Sequence, residues 1–165
     1  MTLKPFLLLA FVLLNSSLAL VERVISVHDG DTLTIEDGQR IRLYGIDAPE
    51  LSQPLGKTAR DYLKAQVLNH SITLECRDQS YKRQICVVWR DMEDMAQAMV
   101  RQGWAFDYKH YFHDCYLNDP DHAKAEQLGV WQLPDGGERP WVYHHRLRHK
   151  LRVLWDSIWS WKGVG

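Results

Sequence analysis

The sequence has no surplus of basic residues. Its 20 lysine and arginine residues and 21 aspartate and glutamate residues leave a formal charge of −1 at pH 7. A protein that holds polyanions through its overall charge usually has a clear basic surplus. Positive charge is concentrated near the C-terminus, where residues 139–155 contain five Lys or Arg, three His and no acid. An anionic partner would therefore have to be held by a local cluster.

Cysteine is also scarce. The three cysteines are Cys76, Cys86 and Cys115, and the sequence contains neither a C-x-x-C motif nor paired Cys and His spacing. A structural zinc site is therefore not expected. In a reducing compartment we would expect three free thiols, whereas export to an oxidising compartment would permit a disulfide.

Long apolar runs are missing as well. The apolar stretch from Pro5 to Leu20 has 16 residues and is interrupted by three polar ones, whereas a membrane span needs about 20. Lys4 precedes this stretch, and Ser17-Leu18-Ala19 ends it with small residues at the first and third places. This layout predicts a signal peptide over residues 1–19 and a secreted or periplasmic protein. The alternative is an uncleaved N-terminus that anchors the protein in a membrane.

The remaining chain contains alternating and β-branched segments that predict five strands. The Asp37-Gly38 pair between the second and third segments is a strong hairpin signal. Apolar residues at helical spacing predict helices elsewhere, and Gly103 is a suitable C-terminal residue for one of them. The predicted strands are 21–27, 32–35, 41–45, 72–76 and 85–89, and the predicted helices are 54–68, 94–102, 119–128 and 141–161.

Five short antiparallel strands with a helix after the third are typical of an OB-type barrel. Periodicity alone indicates only a mixture of helices and strands. We therefore predict an α+β fold, a five-stranded OB-type β-barrel with three helices and a C-terminal helical tail. The expected domain covers residues 20–141, and the tail covers residues 142–165.

Two motifs bring charged residues to the predicted turns. The first is Val27-His28-Asp29-Gly30-Asp31-Thr32, and the second is Arg42-Leu43-Tyr44-Gly45-Ile46-Asp47-Ala48-Pro49-Glu50. Asp-Gly and Asp-x-Pro are ordinary turn sequences, and Arg42 could pair with Glu50 for purely structural reasons. The joint spacing of these carboxylates and one guanidinium favours a functional cluster.

These two motifs together resemble the staphylococcal nuclease, or thermonuclease, family. Tyr81-Lys82-Arg83 is similar to the family's Tyr-Gly-Arg, residues 94–105 resemble its second helix, and Gly129-Val130-Trp131 resembles the end of its third. The resemblance covers about residues 21–131, and Pro140-Trp141 is similar to many bacterial members. It implies a calcium-dependent phosphodiesterase, an endonuclease that hydrolyses DNA or RNA.

The resemblance also implies catalytic roles for three residues. Glu50 would be the general base that takes a proton from the attacking water. Arg42 and Arg83 would clamp the phosphate, because a guanidinium can donate two parallel hydrogen bonds to it.

The metal ligands implied by the resemblance are Asp31, Asp47 and the backbone carbonyl of Ala48. Such oxygen ligands suit calcium, which is a hard cation. Asp29 would order the turn rather than hold the ion.

The sequence departs from the family's pattern around the second arginine. Lys82 replaces the usual glycine, and Gln79 stands where the family has an aspartate. The turn can therefore differ, and Arg77 is the alternative candidate for the role of Arg83.

Three tyrosines are candidates for substrate binding. Tyr81, Tyr108 and Tyr111 correspond to family tyrosines near the nucleotide, although the register of Tyr108 and Tyr111 is open by one residue. Stacking on a tyrosine ring tolerates any base. Tyr108 and Tyr111 can equally be rim or core residues.

The tail combines basic residues with apolar ones that recur near helical spacing, including Leu147, Leu151 and Trp155. It could bind a membrane surface, bind polynucleotide or pack on the barrel. Packing is the usual fate of such a helix and is favoured here.

A disulfide between Cys76 and Cys86 is also expected, with Cys115 free. The two residues are directly opposite each other if the hairpin between the fourth and fifth strands is centred on Tyr81. Opposed residues at a non-hydrogen-bonded pair lie about 4.5 Å apart at Cα, which a disulfide can span. Two reduced cysteines on a half-buried strand pair are the alternative.

The sequence thus favours a secreted nuclease that acts on DNA or RNA, with calcium as cofactor. We expect a monomer with no obligate protein partner and with a tail that is able to contact membranes. The alternative is a non-catalytic nucleic-acid-binding module of the OB type, with or without a membrane tether. Retention of Arg42, Glu50 and both metal acids favours the enzyme.

Overall fold

The computed structural model of the protein describes residues 20–108 and 119–161. The predicted signal peptide, Tyr111 and Cys115 lie outside these ranges. The strands are β1 (Leu20–Val27), β2 (Thr32–Ile35), β3 (Arg40–Leu43), β4 (Ile46–Asp47), β5 (Ser71–Ser80), β6 (Arg83–Arg90), β7 (Glu93–Asp94) and β8 (Phe106–Asp107). The α-helices are α1 (Gly56–Val67), α2 (Met95–Arg101), α3 (Asp119–Ala125) and α4 (Pro140–Trp161).

Five strands form a closed barrel. Neighbours follow the order β3-β2-β1-β5-β6, and a further pairing between β6 and β3 closes the ring. The closing pair is parallel, with Arg42 opposite Ile85, and the others are antiparallel. This confirms the predicted α+β fold with an OB-type barrel. The short strands β4, β7 and β8 were not predicted; β4 pairs with β8, and β7 pairs with β6.

The core lies inside the barrel and under the first two helices. Successive strand residues point to opposite faces, so Leu33 of β2, Ile41 of β3 and Val88 of β6 are fully buried. In α1 the buried residues Ala59, Leu63 and Val67 recur every four positions and form one face. Burying a Leu, Ile or Val side chain contributes about 1.5–3 kcal/mol, so these positions hold the helix against the barrel.

Helix α1 begins at Gly56 rather than at Pro54, the predicted start. Leu55 has a φ of 64°, which is not helical, and the amide of Gly56 donates to the carbonyl of Gln53 at 3.1 Å. A Cβ atom at position 56 would lie 1.8 Å from the carbonyl oxygen of Glu50. Only glycine permits this approach, which places the start of α1 against the loop that carries Glu50.

Helix α2 agrees with prediction at both ends. The side chain of Asp94 accepts hydrogen bonds from the amides of Ala96 and Gln97 at 2.8 and 3.3 Å, which is the usual N-terminal cap. Gly103 follows the helix with a φ of 72°. Helix α3 ends at Ala125, three residues before the predicted end, because Gln127 already has a φ of 51°.

The hairpin of β5 and β6 is longer than predicted. The predicted strands end at Cys76 and begin again at Ile85, but the observed strands continue to Ser80 and start at Arg83. Backbone hydrogen bonds sustain this exposed ribbon, so apolar side chains are not needed there. Tyr81 and Lys82 form the two-residue turn, in which Tyr81 has a φ of 56°. Lys82 does not have a positive φ, so the backbone does not require glycine at that position.

Cys76 and Cys86 are paired across this hairpin and joined by a disulfide. The pairing of the two cysteines does not arise from a hairpin centred on Tyr81, as the prediction supposed. The turn is centred between Tyr81 and Lys82, with Ser80 opposite Arg83. A bulge at Arg77, one extra residue in β5, then shifts the register and brings the two cysteines opposite each other.

Helix α4 packs on the barrel through its first two turns. The ring of Trp141 lies 6.0 Å from that of Phe106 and 5.5 Å from that of Tyr108. The hydroxyl groups of Tyr143 and Ser52 are 2.6 Å apart. Leu151 is 63% exposed, so the predicted packing of the tail holds only for the first turns. Across residues 20–108 and 119–161, no helix is both long and apolar enough to span a bilayer.

Candidate active site

One cleft of about 460 Å³ collects most of the predicted site residues. It lies where the β2–β3 side of the barrel, the β5–β6 hairpin and helix α4 meet. It is lined by residues that are mostly charged or aromatic, namely Asp29, Arg42, Asp47, Glu50, Tyr81, Arg83, Tyr108, Trp141, His144 and Arg148. The chain therefore brings together carboxylates and guanidinium groups that are up to 119 positions apart in sequence.

Arg42 lies between the two predicted metal acids. Its guanidinium forms ion pairs with the carboxylates of Asp31 and Asp47, the latter at 2.7 Å. Both acids are almost completely buried. Burial raises the pKa of Asp47, and the charge of Arg42 acts in the opposite direction. The two acids thus converge on one positive charge.

Backbone contacts hold Asp31 beside the Asp47 loop. The amide of Ala48 donates to Oδ2 of Asp31 at 2.8 Å, and the amide of Asp31 donates to Oδ1 of Asp29 at 3.1 Å. Gly30 lies between these residues, and a Cβ atom there would approach Cβ of Ala48 to 2.6 Å. Asp29 therefore orders the turn, as expected, and Gly30 lets the two loops touch.

Glu50 is held at the mouth of the cleft from two directions. Its amide donates to Oε1 of Gln53 at 2.9 Å, and the side-chain amide of Gln53 donates to the carbonyl of Glu138 at 2.9 Å. Its carboxylate lies 2.9 Å from Nε2 of His144 in α4. Burial raises the pKa of Glu50, and the nearby charge of His144 has the opposite effect.

The two candidates for the second arginine, Arg83 and Arg77, have different surroundings. Arg83 lines the cleft with Arg42. Burial lowers the pKa of the Arg83 guanidinium, and the positive charge of Arg42 is the second cause of this decrease. Arg77 lies 4.8 Å from the ring centre of Tyr44 and donates to Glu75 at 3.1 Å. It is not among the cleft residues. Of the two candidates, Arg83 is therefore the one that lies beside Arg42 in the cleft.

Two of the three predicted tyrosines line the cleft. Tyr81 is at the tip of the hairpin and is 94% exposed, which leaves its ring face accessible for stacking. Tyr108 lies at the other wall, where its amide donates to the carbonyl of Gly45 at 2.8 Å and its ring contacts Trp141. Tyr111 lies outside the described residues.

Sequence reasoning missed the contribution of α4. Trp141, His144 and Arg148 line the cleft, and the predicted boundary between residues 141 and 142 falls inside this helix. The concentration of basic residues after Arg139 was the available signal. It does not reveal which residues reach the barrel, because that depends on how the first two turns pack.

The donor set suits a hard cation such as calcium. Asp31 and Asp47 supply carboxylate oxygens that already converge on one positive group, and Ala48 adds a backbone carbonyl. Among the described residues no group of three or more Asp, Glu, His or Cys side chains could hold a metal. The remaining ligands would therefore have to be backbone oxygens or water, as is common for calcium.

Comparison with known proteins agrees with this geometry. Residues 40–133 match the family model described as staphylococcal nuclease homologue. An uncharacterized endonuclease of Haemophilus influenzae is 36% identical over 115 residues, which cover 66% of this chain and 65% of that protein. An uncharacterized endonuclease of Escherichia coli is 36% identical over 131 residues, covering 75% and 84%. The thermonuclease of Staphylococcus intermedius is 33% identical over 129 residues, covering 68% and 75%.

Proposed function

We propose that this chain, which belongs to the staphylococcal nuclease family, is a calcium-dependent endonuclease. Its substrate would be DNA or RNA. Its relatives are named as endonucleases and as thermonuclease, which supports a nuclease. The observation that carries the proposal is the convergence of Arg42, Asp47, Glu50 and Arg83 on one cleft.

The roles follow from the charge of a phosphodiester, which repels an attacking water or hydroxide. Arg42 and Arg83 offer guanidinium groups on adjacent strands, and the Arg42–Ile85 register keeps them on the same side of the β3–β6 pair. They would hold the phosphate and stabilise the negative charge that builds on its oxygens. Glu50 would accept the proton of the attacking water, since its carboxylate lies at the mouth of the same cleft.

Asp31, Asp47 and the carbonyl of Ala48 would hold the calcium ion. When bound, calcium would place further positive charge beside the phosphate oxygens. His144 would orient Glu50 through its contact at 2.9 Å, and it is a positioning residue rather than a group that touches the substrate.

Export of the protein is part of the proposal. The pairing of Cys76 with Cys86 supports it, because stable disulfides are rare in reducing compartments. The predicted signal peptide would direct export, and residues 1–19 would then be removed. Comparison of the N-terminal sequence and mass of the protein recovered from periplasm or medium with those of the whole chain tests this point.

The test of the activity is cleavage of labelled single- and double-stranded DNA and of RNA, with calcium and with excess chelator. We expect cleavage with calcium and loss of cleavage with chelator, restored by added calcium. Full activity in excess chelator would contradict the metal assignment. Binding of the substrates without cleavage under any of these conditions would instead support a non-catalytic binding module.

A further inference from the structure

A row of basic side chains continues from the cleft along α4. His144, Arg148 and Arg152 are four residues apart and therefore lie on one face of the helix, with His145 and His149 beside them. We call these five residues the basic stripe. The side chains of all five are exposed.

The stripe is continuous with the candidate active site. His144 contacts Glu50 at 2.9 Å, and Arg148 is part of the wall of the cleft. Arg148 also borders a second depression, of about 230 Å³, together with His145, His149 and Arg152. One arginine thus belongs to both depressions, and the positive surface extends outward from the cleft without a break.

The two guanidinium groups of the stripe are available for a ligand. In the described part of the chain, Arg148 and Arg152 have no ion-pair partner. Arg146, on another face of α4, is paired with Glu138 at 2.7 Å. The first acid of the helix is Asp156, one turn beyond Arg152. Unpaired guanidinium groups that lead out of an anion-binding cleft complement a longer anion.

We propose that the basic stripe binds the backbone phosphates of nucleotides next to the cleaved one, so that α4 extends the substrate site. The inference rests on the proposed nuclease function. From His144 to Arg152 the helix rises by about 12 Å. That length corresponds to roughly three nucleotides along one strand of a duplex, at 3.4 Å each.

A polynucleotide fits this surface better than an anionic membrane does. The first two turns of α4 are fixed to the barrel by Trp141 and Tyr143, which keeps the stripe beside the cleft. A membrane-binding helix lies in the plane of the interface with its apolar face in the lipid. The first turns of α4 are instead packed on the barrel, and the stripe opens into the cleft.

The test measures binding of fluorescent oligonucleotides of 3 and 20 nucleotides to the full chain, in chelator to prevent cleavage and over a range of salt concentrations. The variants are Arg152→Gln and the double variant Arg148→Gln/Arg152→Gln. Arg23→Gln is the matched control, because Arg23 is an exposed arginine of β1 that lines neither depression. Circular dichroism melts establish that all variants are folded.

We expect the double variant to bind the 20-nucleotide strand about five- to tenfold more weakly at 0.1 M salt. The slope of log K against log salt should become less steep by about 1.4, since each lost phosphate contact on a single strand removes about 0.7. The single variant should show about half of both changes, and the affinity gained between 3 and 20 nucleotides should shrink. Arg23→Gln should match the native chain.

An unchanged slope and affinity in the double variant would overturn the inference while leaving the nuclease proposal intact. Vesicles containing phosphatidylserine provide a second probe. If the variant lost vesicle binding but kept oligonucleotide binding, the stripe would be a membrane contact and the inference would be wrong. Failure of the native chain both to bind and, with calcium, to cleave any oligonucleotide would instead contradict the proposed function itself.

Discussion

Reduction of the bond between Cys76 and Cys86 should destabilise the protein by an amount that follows from the length of the loop that the bond closes. The sequence separation of the two cysteines is 10. In the chain-entropy model, opening a loop of that length costs about 2.7 kcal/mol at 25 °C. For a chain of this size each kcal/mol corresponds to about 2–4 °C in melting temperature. We therefore expect a decrease of about 5–11 °C when the bond is reduced.

The assay is urea or thermal unfolding of the exported protein with and without a thiol reductant. Cys76 is exposed, so reductant can reach the bond in the folded protein, whereas Cys86 is fully buried. Cys115→Ser should show the full decrease, because it leaves the pair intact. In Cys76→Ala/Cys86→Ala the reductant should have no effect.

Reduction should also lower the cleavage rate, because the closed loop includes Tyr81 and Arg83 at the tip of the hairpin. Equal unfolding midpoints for the oxidised and reduced protein would refute the reasoning. Three free thiols in the exported protein, or a bond that uses Cys115, as found by mass spectrometry of unreduced peptides, would refute the pairing.

Three further predictions concern the cleft. Arg83→Lys should lower kcat/KM for cleavage by about 10²–10³. Arg77→Lys should stay within about threefold of the native rate, because that arginine lies outside the cleft. Equal losses in the two variants would mean that the second phosphate arginine is misassigned. His144→Phe should lower kcat by about tenfold, because it removes the contact with Glu50. His144→Gln keeps a hydrogen-bond donor for Glu50 and should retain more activity. If both variants had the native kcat, His144 would have no part in positioning Glu50. Asp47→Asn should raise the calcium concentration for half-maximal activity by at least about tenfold, and an unchanged calcium titration would exclude Asp47 as a ligand.

The individual strands, the ends of α2 and the loop motifs could be predicted from sequence because each depends on local patterns. Alternating β-branched residues and the Asp37-Gly38 turn define the first strands, and Asp94 with Gly103 marks the two ends of α2. Such signals act over a few residues, so they remain visible without the fold.

The hairpin turn and the active-site wall in α4 depend on contacts that no local pattern shows. The pairing of Cys76 with Cys86 was expected for a turn centred on Tyr81, but it arises from a two-residue turn and a bulge at Arg77. Whether His144 reaches Glu50 depends on the packing of Trp141 against Phe106 and Tyr108. These contacts join residues about 35 to 95 positions apart.

The most direct test of the central claim is the single-turnover rate of DNA or RNA cleavage by Glu50→Gln in saturating calcium. The substitution keeps the size of the side chain and removes its negative charge and its ability to take a proton. We predict a rate about 10²–10⁴ lower than that of the native chain, with the melting temperature and the affinity for oligonucleotide in chelator nearly unchanged. A folded Glu50→Gln variant that cleaves at close to the native rate would contradict the assignment of this cleft as the site of phosphodiester hydrolysis.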